Sequence, residues 1–200
     1  TAESLSGDYT LLCIPAMAIN DTYHELNLQE FLRIAKRYNP LNIRRIAVGN
    51  MFNKTQEELI ANAHGLAHAV FANSASVTEV LKELKQADLG MSVVVGGILD
   101  TVNECCREAG LQRHTVDVSL GIWGKTERLP SDELLEVTTM CGHGMVSTNL
   151  VKSVAQDIRK GAKSPEEAAK ELAPNCCCGV FNPARAAKLL AAMVNNVEDN

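Results

Sequence analysis

Met91-Ser92-Val93-Val94-Val95-Gly96-Gly97-Ile98-Leu99-Asp100 decides the reading of the fold. A short, continuous apolar run bounded by turn residues marks a strand covered on both faces, as in a parallel sheet. Two glycines then turn the chain, and the next segment reads as a helix ending at Gly110. The same alternation recurs on either side. Upstream, Leu11-Leu12-Cys13-Ile14-Pro15 reads as a strand. Leu28, Phe31, Leu32, Ala35 and Tyr38 then fall at helical spacing, up to Asn39-Pro40. The stretch from Ile43 to Val48 is β-rich and closes at Gly49-Asn50. Thr55-Gln56-Glu57-Glu58 and Ser76-Val77-Thr78-Glu79 are capping-box patterns, and the first predicts a helix with Leu59, Ala63, Leu66 and Val70 on one face. Downstream, Thr115-Val116-Asp117-Val118-Ser119-Leu120 alternates as a strand does. Strand and helix in turn predict an α/β fold with a small, mostly parallel sheet flanked by helices.

The remaining third reads as helix alone. Ser131-Asp132-Glu133 caps a short helix, and Met145 to Lys160 forms the next. Ser164-Pro165-Glu166-Glu167 is a third capping box, and Asn182-Pro183 starts the last helix. A soft boundary near Leu129-Pro130 separates an α/β part, residues 1–129, from an all-helical, cysteine-bearing part, residues 130–200, within one compact domain.

Composition narrows the function classes. Of the 200 residues 46% are apolar and 22% charged, enough for an ordinary core. A net charge of -5 and 4% aromatics argue against a nucleic-acid surface. No apolar run reaches the length of a membrane span. Thr1 to Thr10 is polar, lacks a basic stretch ahead of an apolar one, and does not read as a signal peptide. The cysteines number seven, an odd count, with adjacent runs at Cys105-Cys106 and Cys176-Cys177-Cys178. A chain of this size does not need disulfides to fold, so the expectation is a reducing cytoplasm with thiols kept for metal or redox work.

Two segments carry the chemistry. Pro174-Asn175-Cys176-Cys177-Cys178-Gly179 places three thiols between two helices. Cys176 and Cys178 can point one way there while Cys177 points elsewhere. Thr138-Thr139-Met140-Cys141-Gly142-His143-Gly144-Met145 is another helix junction, where Cys141 and His143 are ligand candidates and two glycines allow close approach. Cys141, Cys176 and Cys178 are three soft ligands, which favour iron–sulfur clusters or zinc. Neither a paired C-x2-4-C zinc pattern nor a ferredoxin C-x2-C-x2-C run is present. The reading is a [4Fe–4S] cluster held by three cysteines. Its fourth position would fall to Cys177, Cys13, His143 or Cys105/Cys106, or stay open to substrate.

Other residues carry weaker signals. Gly96 and Gly97 open a helix after a strand and are cofactor-binding candidates for a phosphate, although G-x-G-x-x-G and G-K-[ST] are both incomplete. A plain tight turn is the simpler account. His64 and His68 stand four apart on the predicted helix, without the glutamate of an H-E-x-x-H site.

Met140-Cys141-Gly142-His143-Gly144 resembles a local motif of the proline racemase family, whose cysteine is a proton-transfer base. The likeness covers five residues of 200, and the family's second segment, an Asp-Arg stretch leading into Pro-Cys-Gly, is absent. The resemblance implies Cys141 as an acid/base.

The expected function is therefore an iron–sulfur protein of anaerobic metabolism, acting as an oxidoreductase or a cluster-dependent lyase on a small molecule. The alternatives are a metal-free thiol enzyme using Cys141 and His143 for racemase-like proton transfer, and a zinc-stapled accessory subunit. A small-molecule substrate or redox partner protein is expected, and a homo-oligomer or a larger complex is compatible with the sequence. Neither nucleic acid nor membrane is expected as a partner.

Overall fold

The structure is a computed structural model that describes residues 2–45 and 48–195. A short helix α1 (Ala2–Leu5) precedes β1 (Tyr9–Ile14), α2 (His24–Arg37), β2 (Asn42–Arg45), β3 (Gly49–Asn50), α3 (Gln56–Ala61), β4 (Ala67–Phe71), α4 (Ser74–Ala87), β5 (Ser92–Gly96) and α5 (Leu99–Glu108). Four helices follow: α6 (Asp132–Thr138), α7 (Thr148–Arg159), α8 (Pro165–Leu172) and α9 (Pro183–Asn195). Ile46 and Ala47, within the β-rich stretch, lie outside the described residues.

The sheet is not parallel. Its order is β3-β2-β4-β1-β5, and every neighbouring pair is antiparallel. β1 and β2, joined through α2, do run the same way, because both oppose β4. β4 and β5, joined through α4, also run the same way, because both oppose β1. Strand–helix alternation fixes the direction of the strands that a helix joins, but not which strands become neighbours. Here each such pair is split by an interposed strand, giving a split β-α-β plait.

Strand alternation sorts the sheet into two faces. Tyr9, Leu11, Cys13, Ile43, Ala69 and Phe71 are buried on one face, in a core with Leu28, Phe31 and Leu32 of α2 and Val77, Val80 and Leu81 of α4. The opposite face carries Thr10, Leu12 and Ile14, with Asn42 and Arg44 of β2 and His68 and Val70 of β4 in register beside them. β5 is an edge strand with Val94 exposed, so Met91 to Val95 is not covered on both faces as its apolar run predicts.

Three further expectations change. The helix from Gln56 stops at Ala61, capped by the Thr55–Glu58 box at its start. Gly65 at φ 77 turns the chain, and the run 67–71 is drawn into the sheet as β4. His64 and His68 therefore share no helix. Residues 111–123 form no regular element, and Val116, Val118, Leu120, Ile122 and Trp123 are exposed. Alternation makes a strand only where a neighbour supplies the ladder hydrogen bonds. α4 is capped by Asn73, whose side chain accepts from Ser76 N–H, rather than by Ser76.

The last four helices enclose a second core: Leu134, Val137, Val151, Val154, Leu172, Phe181 and Leu190, with Cys176 and Cys178 among them. Among the described residues no helix is long and apolar enough to cross a membrane.

Candidate metal centre

Two tight turns bring the cysteines together. α6 ends at Thr138, and the Gly142 N–H donates to Thr139 O at 2.8 Å. Gly142 at φ 77 and Gly144 at φ 63 adopt the left-handed conformation that glycine takes without strain, and they reverse the chain between α6 and α7. On the other side, a 3-10 turn at Ala173–Asn175 follows α8. Gly179 N–H then donates to Cys176 O at 3.2 Å, closing a turn over the triple thiol. That turn buries Cys176 and Cys178 and leaves Cys177 exposed.

The donor atoms of Cys141, His143 and Cys178 all lie within 4.8 Å of one another. Cys176 Sγ stands 3.2 Å from Cys178 Sγ. Cys141, His143 and Cys178, drawn from the two turns, thus face a common point, with Cys176 beside Cys178. Cys141, His143 and Cys178 can hold a metal ion.

Electrostatics divide the thiols. Hydrogen bonds from Cys176 and then Cys178, with help from His143, hold the Cys141 thiol well below the usual range. The same bonds, by occupying their protons, push Cys176 and Cys178 up. A bound ion must displace the protons of its thiol ligands, so uptake weakens as the pH falls.

The remaining cysteines sit elsewhere. Cys13 and Cys105 are buried in the sheet–helix core. Burial pushes Cys13 up to about 12, and Cys105 Sγ donates to Ser74 O at 3.6 Å. Gly97 has a packing reason to be glycine, since a Cβ there would stand 2.7 Å from the Tyr9 ring. Gly96 is paired with Thr10 in the sheet. His64 Nδ1 meets Glu25 Oε1 at 2.9 Å and its ring lies 5.2 Å from that of His24. Both His24 nitrogens are taken by backbone, Nδ1 by Asp21 O and Nε2 by Gly65 N–H, so His24 pins the loop before β4.

Sequence reasoning missed the residues that seat the thiol turn. Buried Asn42 donates from Nδ2 to Gly179 O at 2.9 Å, and its Oδ1 accepts from Met51 N–H at 2.9 Å. Buried Asn50 donates to Cys176 O at 3.3 Å and accepts from Phe52 N–H at 2.8 Å. The available signal was the polar–apolar–polar order Asn42-Ile43-Arg44, which puts two polar side chains on the face away from the helices.

His68, opposite Arg44 in the β2–β4 ladder, is also near this site. Burial, then the charges of Arg44 and His143, lower it from 6.5 to about 4. Because the folded value is depressed, the fold resists protonation there. This contribution is fully present above the ordinary value and lost as the pH falls through the folded one. In the metal-free chain, His68→Leu should flatten a stability loss of up to about 3 kcal/mol between pH 6.5 and about 4. Urea midpoints of variant and wild type across that window check this.

Comparison of the chain with protein-family models, curated proteins and solved structures returns no match.

Proposed function

We propose that the chain is a metalloenzyme whose Cys141, Cys176, Cys178 and His143 bind a soft metal that acts as a Lewis acid on a small molecule in lyase-type chemistry. The supporting observation is the convergence of Cys141, His143 and Cys178 within 4.8 Å of one another, with Cys176 Sγ 3.2 Å from Cys178 Sγ. Tetrahedral zinc with bonds of about 2.3 Å holds its sulfurs roughly 3.8 Å apart, between the 3.2 Å of Cys176 and Cys178 and the 4.8 Å that bounds Cys141, His143 and Cys178. The spacing therefore favours a single ion. His143 is exposed and sits between two left-handed glycines, so it is the ligand most readily exchanged for substrate, as a catalytic site requires.

A [4Fe–4S] cluster on the same three cysteines is the second reading. It is favoured by the lack of a fourth thiolate nearby, because Cys177 faces outward and Cys13 and Cys105 belong to the other core. A cubane needs the sulfurs on different irons, so Cys176 and Cys178 would have to part. Oxygen-free purification with metal and acid-labile sulfide quantitation decides between these. One metal per chain and no sulfide supports the single ion. Four irons with four sulfides supports the cluster and returns redox chemistry to consideration. Cys141→Ser, Cys176→Ser and Cys178→Ser should each lose the metal, while Cys177→Ser should keep it.

A metal-free thiol enzyme rests on the lowered Cys141 thiol. If no metal is found, fast iodoacetamide labelling confined to Cys141 and the exposed Cys177, with Cys13 spared, sustains that reading.

A further inference from the structure

Beside the thiol turn, the sheet face opposite the α2 and α4 core carries a cation with no ion pair among the described residues. Arg44 and His68 are directly opposed in the β2–β4 ladder, with Leu12 of β1 opposed to His68 on its other side. Arg44 Nε and His68 Nδ1 are buried, and neither has a hydrogen-bond partner among the described residues. Arg44 has no ion pair among the described residues. Buried polar atoms are rarely left unmet, and here the unmet Nε belongs to a half-buried guanidinium with no carboxylate paired to it among the described residues. The pair is also fixed in place. A Cβ at Gly179 would stand 2.7 Å from Arg44 Cβ, so Arg44 lies directly against the turn that carries Cys178. Charges on Arg44 and His143 both act on His68, which sets the pair within electrostatic reach of the centre's exposed ligand.

We propose that Arg44 and His68 bind the carboxylate of the small molecule on which the metal centre acts. A guanidinium presents parallel N–H donors matched to a carboxylate, and an imidazole N–H can add a third. The neighbouring Leu12 and the exposed Val94 offer apolar surface for a short carbon chain. This assignment rests on the metal-centre reading for its chemistry, but the binding itself does not require the metal.

The test is an acetate titration of the full chain, followed by nitrogen NMR of Arg44 Nε and His68 Nδ1. It is run on metal-loaded protein and on metal-free Cys176→Ser, with inorganic phosphate as a second probe. Saturable shifts at both nitrogens are expected, with acetate binding about tenfold or more weaker in Arg44→Gln and intermediate in Arg44→Lys. Metal content and thermal midpoint are measured in each variant, so loss of fold is not mistaken for loss of binding. The assignment is overturned by no saturable acetate response, by acetate affinity unchanged in Arg44→Gln, or by phosphate binding without acetate binding. An Arg44→Gln protein that loses metal while keeping its acetate response would make Arg44 a counter-charge to the thiolates, and would also overturn it. A wild-type chain that takes up no metal yet binds acetate through Arg44 would overturn the metal centre and leave the anion site standing.

Discussion

Gly179→Ala is expected to strip the purified chain of its metal and to cost about 2–4 kcal/mol of stability. Two effects add. Gly179 sits at φ 65, where an L side chain is strained by its own backbone. A Cβ there would also stand 2.7 Å from Arg44 Cβ and 3.1 Å from Asn50 Cβ, and none of these atoms is the free end of a flexible side chain. The turn must lift off the sheet, loosening the Asn42-to-Gly179 and Asn50-to-Cys176 bonds. Cys178 and Cys176 move with it, away from Cys141. The control is Gly161→Ala, also left-handed at φ 68 but with nothing within 4 Å of its Cβ. That variant should lose about 1 kcal/mol and keep its metal. Metal analysis with urea unfolding reads both. Full metal occupancy in Gly179→Ala would show that the turn's seat on the sheet does not set the thiol geometry.

The site was more legible than the sheet, for a physical reason. Three adjacent thiols and a Cys-Gly-His-Gly turn are local features, and ligand chemistry depends on residue type and on the turn that presents it. Their meeting depends on the α6–α9 packing, which the sequence shows only as four amphipathic helices. Strand neighbours are non-local. Val93-Val94-Val95 reads equally well as a central strand or as an edge covered on one side, because periodicity over so short a run cannot separate them. Likewise, Leu66 to Val70 continues a helical spacing from Leu59. Only Gly65 and the vacancy between β1 and β2 turn it into a strand, so tertiary pairing overrode local pattern. The pairing of Arg44 with His68 escaped notice because it exists only once β2 and β4 are in register.

Asp8→Ala should cost about 3 kcal/mol, the other large effect expected. Asp8 Oδ2 accepts from Arg185 Nη1 at 2.9 Å, with the two side chains only 11% and 9% exposed. Asp8 Oδ1 accepts from Asn182 Nδ2 at 3.1 Å, and that amide also donates to Gly7 O at 2.8 Å. Asn182 caps α9 by accepting Arg185 N–H at 2.9 Å. The approach to β1 is thus tied to the start of α9, immediately after the thiol turn and Phe181. Removing the carboxylate leaves a buried guanidinium whose nearest other acid, Glu136, stands at 3.8 Å. A buried pair broken on one side is costly because the surviving charge keeps its desolvation penalty. Asp8→Asn keeps an oxygen for Arg185 and should recover part of the loss. Asp157→Ala, which removes a more exposed partner of Lys163, should matter far less. Chemical denaturation should show a lower midpoint with an unchanged slope for Asp8→Ala. A midpoint equal to that of Asp157→Ala would mean that the link between sheet and helical bundle contributes little. In the metal-loaded protein both midpoints should rise together with metal concentration, because a ligand bound only by the native chain stabilises wild type and variant equally by mass action while their sites are intact, so the penalty itself should persist.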